Sequence, residues 1–69
     1  MTASMNRLRG AIRERGLTQQ EVSEKIGIDP STFYRKLASG GLAFTVGEMH
    51  QLADILQLTP EESAQIFLK

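Results

Sequence analysis

Apolar residues recur along this chain at three- and four-residue intervals, the period that lines one face of an α-helix. Met5, Leu8 and Ile12 form the first such stripe and predict a helix from about Ser4 to Arg15, with Gly16 as its terminator. Val22 and Ile26 form a second, short stripe that Gly27 ends, and Phe33 with Leu37 form a third. Met49, Leu52, Ala53 and Leu56 make a fourth, and Ile66, Phe67 and Leu68 close the chain in a fifth. No alternating pattern of the strand kind interrupts them.

The residues between the stripes sharpen the boundaries. Thr18-Gln19-Gln20-Glu21, Thr45-Val46-Gly47-Glu48 and Thr59-Pro60-Glu61-Glu62 each have the spacing of a capping box. There the threonine hydroxyl and the glutamate carboxylate satisfy each other's orphan amides at a helix start. Asp29-Pro30 opens another helix, with an acceptor at the N-cap and proline at the first helical position. Leu17 with Val22, Ile28 with Phe33 and Phe44 with Met49 have hydrophobic-staple spacing. Ser39-Gly40-Gly41 breaks the pattern into a loop, from which Leu42-Ala43-Phe44 leads to the fourth helix. The expected fold is all-α: a compact five-helix bundle forming one domain over residues 1–69.

Two helices joined by a turn of about three residues that contains glycine, here residues 19–38, make a helix-turn-helix. Its second helix can enter a DNA major groove. Composition permits this without demanding it. At 41% hydrophobic the chain has enough apolar residues for one modest core. The absence of cysteine excludes disulfides and thiolate metal sites. No apolar run reaches the roughly 18 residues of a membrane span, and the expected setting is the cytoplasm. The net charge is zero, but its distribution is uneven: residues 1–40 carry +3 and residues 41–69 carry −3. Such asymmetry suits a molecule with one end toward phosphates, although solvated helix charges would look the same.

Catalytic chemistry finds little support. His50 is the sole histidine, and no second histidine, cysteine or carboxylate pair is placed beside it. Glu61 and Glu62 sit in a first helical turn, where carboxylates favour the helix dipole. Gly40-Gly41 lacks the lysine and strand of a phosphate-cradling loop. An enzyme is not expected, nor is a cofactor, a metal or a small-molecule ligand.

The DNA reading names specific side chains. Gln19 and Gln20 open the second helix, where amides and free N–H groups can meet a phosphate. Arg35 lies opposite Phe33 and Leu37 and suits bidentate pairing with guanine O6 and N7. Tyr34 has three roles open to it: backbone contact, a thymine methyl, or the side of the core. Ser31 and Thr32 are short enough for close approach, while Thr32 also suits support of the helix start. Arg9 and Arg13 are expected on the basic face toward phosphates.

The stretch "LTQQEVSEKIGIDPSTFYRKL" followed by "FTVGEMHQLADILQLTPEE" resembles the lambda-repressor and Cro-type helix-turn-helix family. The "STFYRKLASG…FTVGE" segment and the closing "EESAQIF" look most like short Cro-like regulators encoded by bacterial phages. Gln19, Val22, Ile26, Gly27, Ile28 and Phe33 fall where that family places them. The resemblance implies that Gln19 clamps a phosphate and that Pro30, Ser31, Tyr34 and Arg35 face the bases. The DNA backbone is expected to meet Gln19, Gln20, Thr32, Arg9, Arg13, Lys36 and the amides of Gly40 and Gly41. Three positions depart from the family. Ser23 replaces a usual alanine, Lys36 a common buried aliphatic, and Pro30 a polar residue that begins many recognition helices. The loop of residues 40–44 also lacks the basic residues related proteins often carry.

The implied function is a sequence-specific DNA-binding transcriptional regulator of phage or prophage origin that binds a double-stranded operator. The alternatives are a helix-turn-helix adaptor that binds protein rather than DNA, or the N-terminal module of a longer repressor. One module this small buries only about 600–1,000 Å² on DNA, so a homodimer is expected. Ile55, Phe67 and Leu68 are the candidates for its interface, with packing inside one chain as the competing use.

Overall fold

The computed structural model describes residues 5–41 and 43–67. Five helices follow in order: α1 (Met5–Glu14), α2 (Gln19–Lys25), α3 (Pro30–Ala38), α4 (Val46–Leu56) and α5 (Pro60–Phe67). There is no strand among the described residues. Ser4, Leu42 and Leu68 lie outside them.

All three capping boxes form. At α2 the Glu21 amide donates to Thr18 Oγ1 at 3.0 Å, and the Thr18 amide donates to Glu21 Oε1 at 2.8 Å. The same reciprocal pair joins Thr45 with Glu48, and Thr59 with Glu62. At α3 the Asp29 carboxylate accepts from the Ser31 amide at 3.0 Å. These four helix starts are therefore local events, each written within about four residues.

Four helix ends share one geometry, in which a left-handed residue turns two amides back onto the last carbonyls. After α1, Gly16 and Leu17 donate to Arg13 and Ile12; after α2, Gly27 and Ile28 donate to Glu24 and Ser23. After α3, Gly40 and Gly41 donate to Leu37 and Lys36; after α4, Gln57 and Leu58 donate to Asp54 and Ala53. Glycine fills the left-handed position three times, without a Cβ penalty. At α4 it is Gln57, with φ 54°. Its last carbonyls are held by a side chain distant in sequence. Arg15, just past α1, donates from Nε to the Leu56 carbonyl at 2.6 Å and from Nη2 to the Gln57 carbonyl at 3.3 Å. A guanidinium at a helix C-terminus meets both the orphan carbonyls and the negative end of the dipole.

The core collects the stripes. Met5, Leu8 and Ile12 meet Val22, Ile26, Phe33, Leu37, Phe44, Leu52, Leu56 and Ile66. Phe33 and Phe44 pack edge to face with ring centroids 5.7 Å apart, a favoured aromatic arrangement. Of the expected α4 stripe, Leu52 and Leu56 are fully buried, while Met49 and Ala53 are half-buried at its margin. Ile55 and Phe67 are half-buried and pack against the core from outside.

Candidate nucleic-acid interface

Helices α2 and α3 pack more extensively with each other than any other pair. Ser23 sits between them, fully buried, where alanine is usual in the resembling family. Its hydroxyl donates to the Gln20 carbonyl at 2.7 Å. The extra oxygen therefore carries no unmet hydrogen bond, and the departure costs the junction little.

Because Phe33 and Leu37 anchor α3 inward, the opposite face is open. Ser31, Tyr34 and Arg35 are exposed there, with Pro30 and Thr32 half-buried beside them. Tyr34 stands 45% exposed, so it does not fill the core. Arg35 Nη2 donates to Thr32 Oγ1 at 3.2 Å, one turn earlier, which braces the guanidinium along the helix. Both side chains border a hollow of about 270 Å³ shared with Lys36 and Ala43. Asp29 Oδ2 also accepts from the Ser31 hydroxyl. That bond, followed by the Ser31 amide, holds the Asp29 carboxyl below its ordinary value of 3.8.

Gln19 occupies the first position of α2 and is half-buried; Gln20 is exposed, its Nε2 donating to Glu24 Oε2 at 3.4 Å. Arg9 and Arg13 stand on α1, where Arg13 is exposed and Arg9 Nη1 donates to Asn6 Oδ1 at 3.2 Å.

Two of the groups expected at the DNA backbone have partners within the molecule. Lys36, expected at the DNA backbone, is held within the molecule. Its Nζ donates to both oxygens of Glu48, at 2.7 and 2.9 Å, with the two side chains 16% and 14% exposed. It also lies 5.9 Å from the centre of the Phe44 ring. The hydrogen bond from Lys36, and then the Thr45 amide, lowers the Glu48 carboxyl below its ordinary 4.5. The position calls for burial, and a lysine can be buried there only with a carboxylate opposite. Leu37, 3% exposed, provides the apolar packing instead. The second case is Gly40 and Gly41. Their amides, expected to face phosphates, donate to the Leu37 and Lys36 carbonyls at 3.0 and 3.1 Å. Both donors are engaged in closing α3.

Arg15 and Glu48 are the residues that sequence reasoning missed. A charged residue at the usually aliphatic position 36 was the signal for Glu48, since a lysine there demands an acid nearby. Nothing local marked Arg15.

A family model for the Cro/C1-type HTH DNA-binding domain matches residues 7–62. The chain belongs to this family. No curated protein and no solved structure matches it. The matched span takes in the helix-turn-helix and most of α1, so the open face of α3 belongs to a DNA-binding domain of the Cro/C1 type. Among the described residues no helix is long and apolar enough to cross a membrane.

Proposed function

We propose that this Cro/C1-type protein is a sequence-specific transcriptional regulator of phage or prophage origin, which sets α3 in the major groove of an operator and works as a homodimer in the cytoplasm. The observation that carries this reading is the open face of α3. Ser31, Tyr34 and Arg35 stand exposed on it, while Phe33 and Leu37 lock the opposite face into the core. In the proposed complex Arg35 reads a guanine, Pro30 and Tyr34 adjoin the bases, and Thr32 steadies Arg35. Gln19, Gln20, Arg9 and Arg13 position the domain on phosphates, a role that fixes register without reading sequence. The dimer contact lies in the acidic half of the chain, around Ile55 and Phe67, which leaves the basic face free.

Selecting bound duplexes from a random pool tests this directly. The expected result is an enriched pseudo-palindrome with half-site centres about one helical turn, roughly 34 Å, apart. Its affinity should fall steeply with salt as phosphate counterions are released. Arg35→Ala should relax one base pair per half-site at a cost of about 1–3 kcal/mol, whereas Gln19→Ala should weaken all duplexes alike. Absence of duplex affinity at low salt would favour the protein-binding adaptor. Sedimentation showing saturation at one chain per site would remove the dimer.

A further inference from the structure

Ser31 stands on the open face of α3, one turn before Arg35, and its hydroxyl is not free to play both parts of a hydrogen bond. Asp29 Oδ2 takes the Ser31 amide at 3.0 Å and, through the same oxygen, the Ser31 hydroxyl. An ionised carboxylate has no proton to give, so the hydroxyl is the donor in that contact. The Asp29 carboxyl is ionised at neutral pH in any case, and this same hydroxyl holds it further below its ordinary value. With its one proton committed, Ser31 Oγ offers only lone pairs to a group arriving from solvent. A free serine suits either kind of base edge. This one is an acceptor.

The major groove separates bases on that property. Adenine N6 and cytosine N4 are amino donors, whereas guanine O6 and N7 and thymine O4 only accept. Resting on the reading of α3 as the groove-entering helix, we propose that Ser31 is a specificity-determining residue that selects an amino-bearing base, adenine or cytosine, on the strand it faces. A guanine or thymine there sets its acceptors against the Oγ lone pairs and against the Asp29 charge behind them. Arg35, which only donates, makes the complementary demand one turn further along the helix. The face thus carries an acceptor followed by a donor, and the order is set by the helix cap.

The test uses the intact protein and a duplex selected from a random pool. Single-base variants of that duplex are ranked by competition against wild type, Ser31→Ala and Ser31→Thr. Ser31→Ala should flatten preference at one position per half-site by about three- to tenfold, the range of one hydrogen bond. Ser31→Thr should keep it, and the preferred base at that position should be adenine or cytosine. Replacing that base with its analogue lacking the amino group (purine for adenine, pyrimidin-2-one for cytosine) should weaken wild type by the same factor and leave Ser31→Ala unchanged. A guanine or thymine at that position overturns the inference while the DNA reading stands. So does an analogue that weakens both proteins equally, or a Ser31→Ala variant with unaltered preferences. A pool that enriches no sequence overturns the DNA reading, and this inference with it.

Discussion

The turn after α2 and the turn after α4 have the same backbone shape but different origins. In both, a left-handed residue directs two amides onto the final carbonyls of the helix. After α2 that residue is Gly27, and everything the turn needs lies between Ser23 and Ser31. After α4 it is Gln57, and the turn is completed by Arg15, which lies 41 residues before Leu56 and 42 before Gln57. A glycine makes a turn by its own lack of a Cβ. A glutamine in the same place needs the rest of the molecule to hold it there. One turn is a property of a peptide, the other of a fold.

Substitutions separate the two cases. The largest effect is expected for Gly27→Val. Nothing lies within 4 Å of where a Cβ would stand, so the penalty is the left-handed backbone alone, at φ 77°. Strain of this kind in a β-branched residue costs about 2–3 kcal/mol, which in a domain this small lowers Tm by roughly 10–20 °C. Thermal unfolding followed by circular dichroism checks it. An unchanged Tm would mean that this turn does not depend on glycine.

The turn after α3 lies between these two in kind, since glycine closes the helix while the Lys36–Glu48 pair ties it to α4. Glu48→Gln should cost about 2 kcal/mol at neutral pH, because it leaves a largely buried ammonium without its counter-charge. The pH dependence has a definite sign. The folded-state pKa of Glu48 is lowered, so its stabilisation is present above the ordinary value of about 4.5 and is lost as pH falls through the lowered value. Denaturant unfolding of both proteins should therefore show a gap that is full at pH 7 and narrows below about pH 4.5. A gap independent of pH would mean that the pair is not ionic in origin.

Arg15→Ala should destabilise by about 1.5 kcal/mol, the lower end of the range for hydrogen bonds from a charged donor, since Arg15 is exposed. Arg15→Lys should recover only part of this, since an ammonium lacks the fork that spans two carbonyls. Amide exchange at Gln57 and Leu58 should accelerate in Arg15→Ala while exchange at Gly27 and Ile28 does not. Equal acceleration at both turns would dissolve the distinction between them.

The smallest effect has the opposite sign. Gln57→Gly should stabilise by about 0.5–1 kcal/mol, the relief of left-handed strain less the entropy of a more flexible unfolded chain. Arg15→Ala should then cost less in the Gln57→Gly background than alone, and unfolding curves of the four proteins close that cycle. Strict additivity would show that Arg15 braces α4 without supporting the glutamine.

What the sequence determined by itself was every feature with a short range. Thr18, Thr45 and Thr59 announced helix starts because each finds its glutamate partner three residues on, and Gly16, Gly27 and Gly40 announced three ends. The stripes from Met5 to Ile66 identified the buried faces because helical period is set by the backbone. They left the opposite face of α3 as the candidate for DNA. Tertiary structure alone decided which charges remained available to that face. Lys36 and Arg15 read as two more cations of a basic half, yet one is held by Glu48 and the other by the carbonyls that end α4. The amides of Gly40 and Gly41 are the local exception: they read as free donors, yet they close α3 on the Leu37 and Lys36 carbonyls no more than five residues away. Local pattern reports which residue can pair, whereas the partner is chosen by what the packed core brings within 3 Å or so of it.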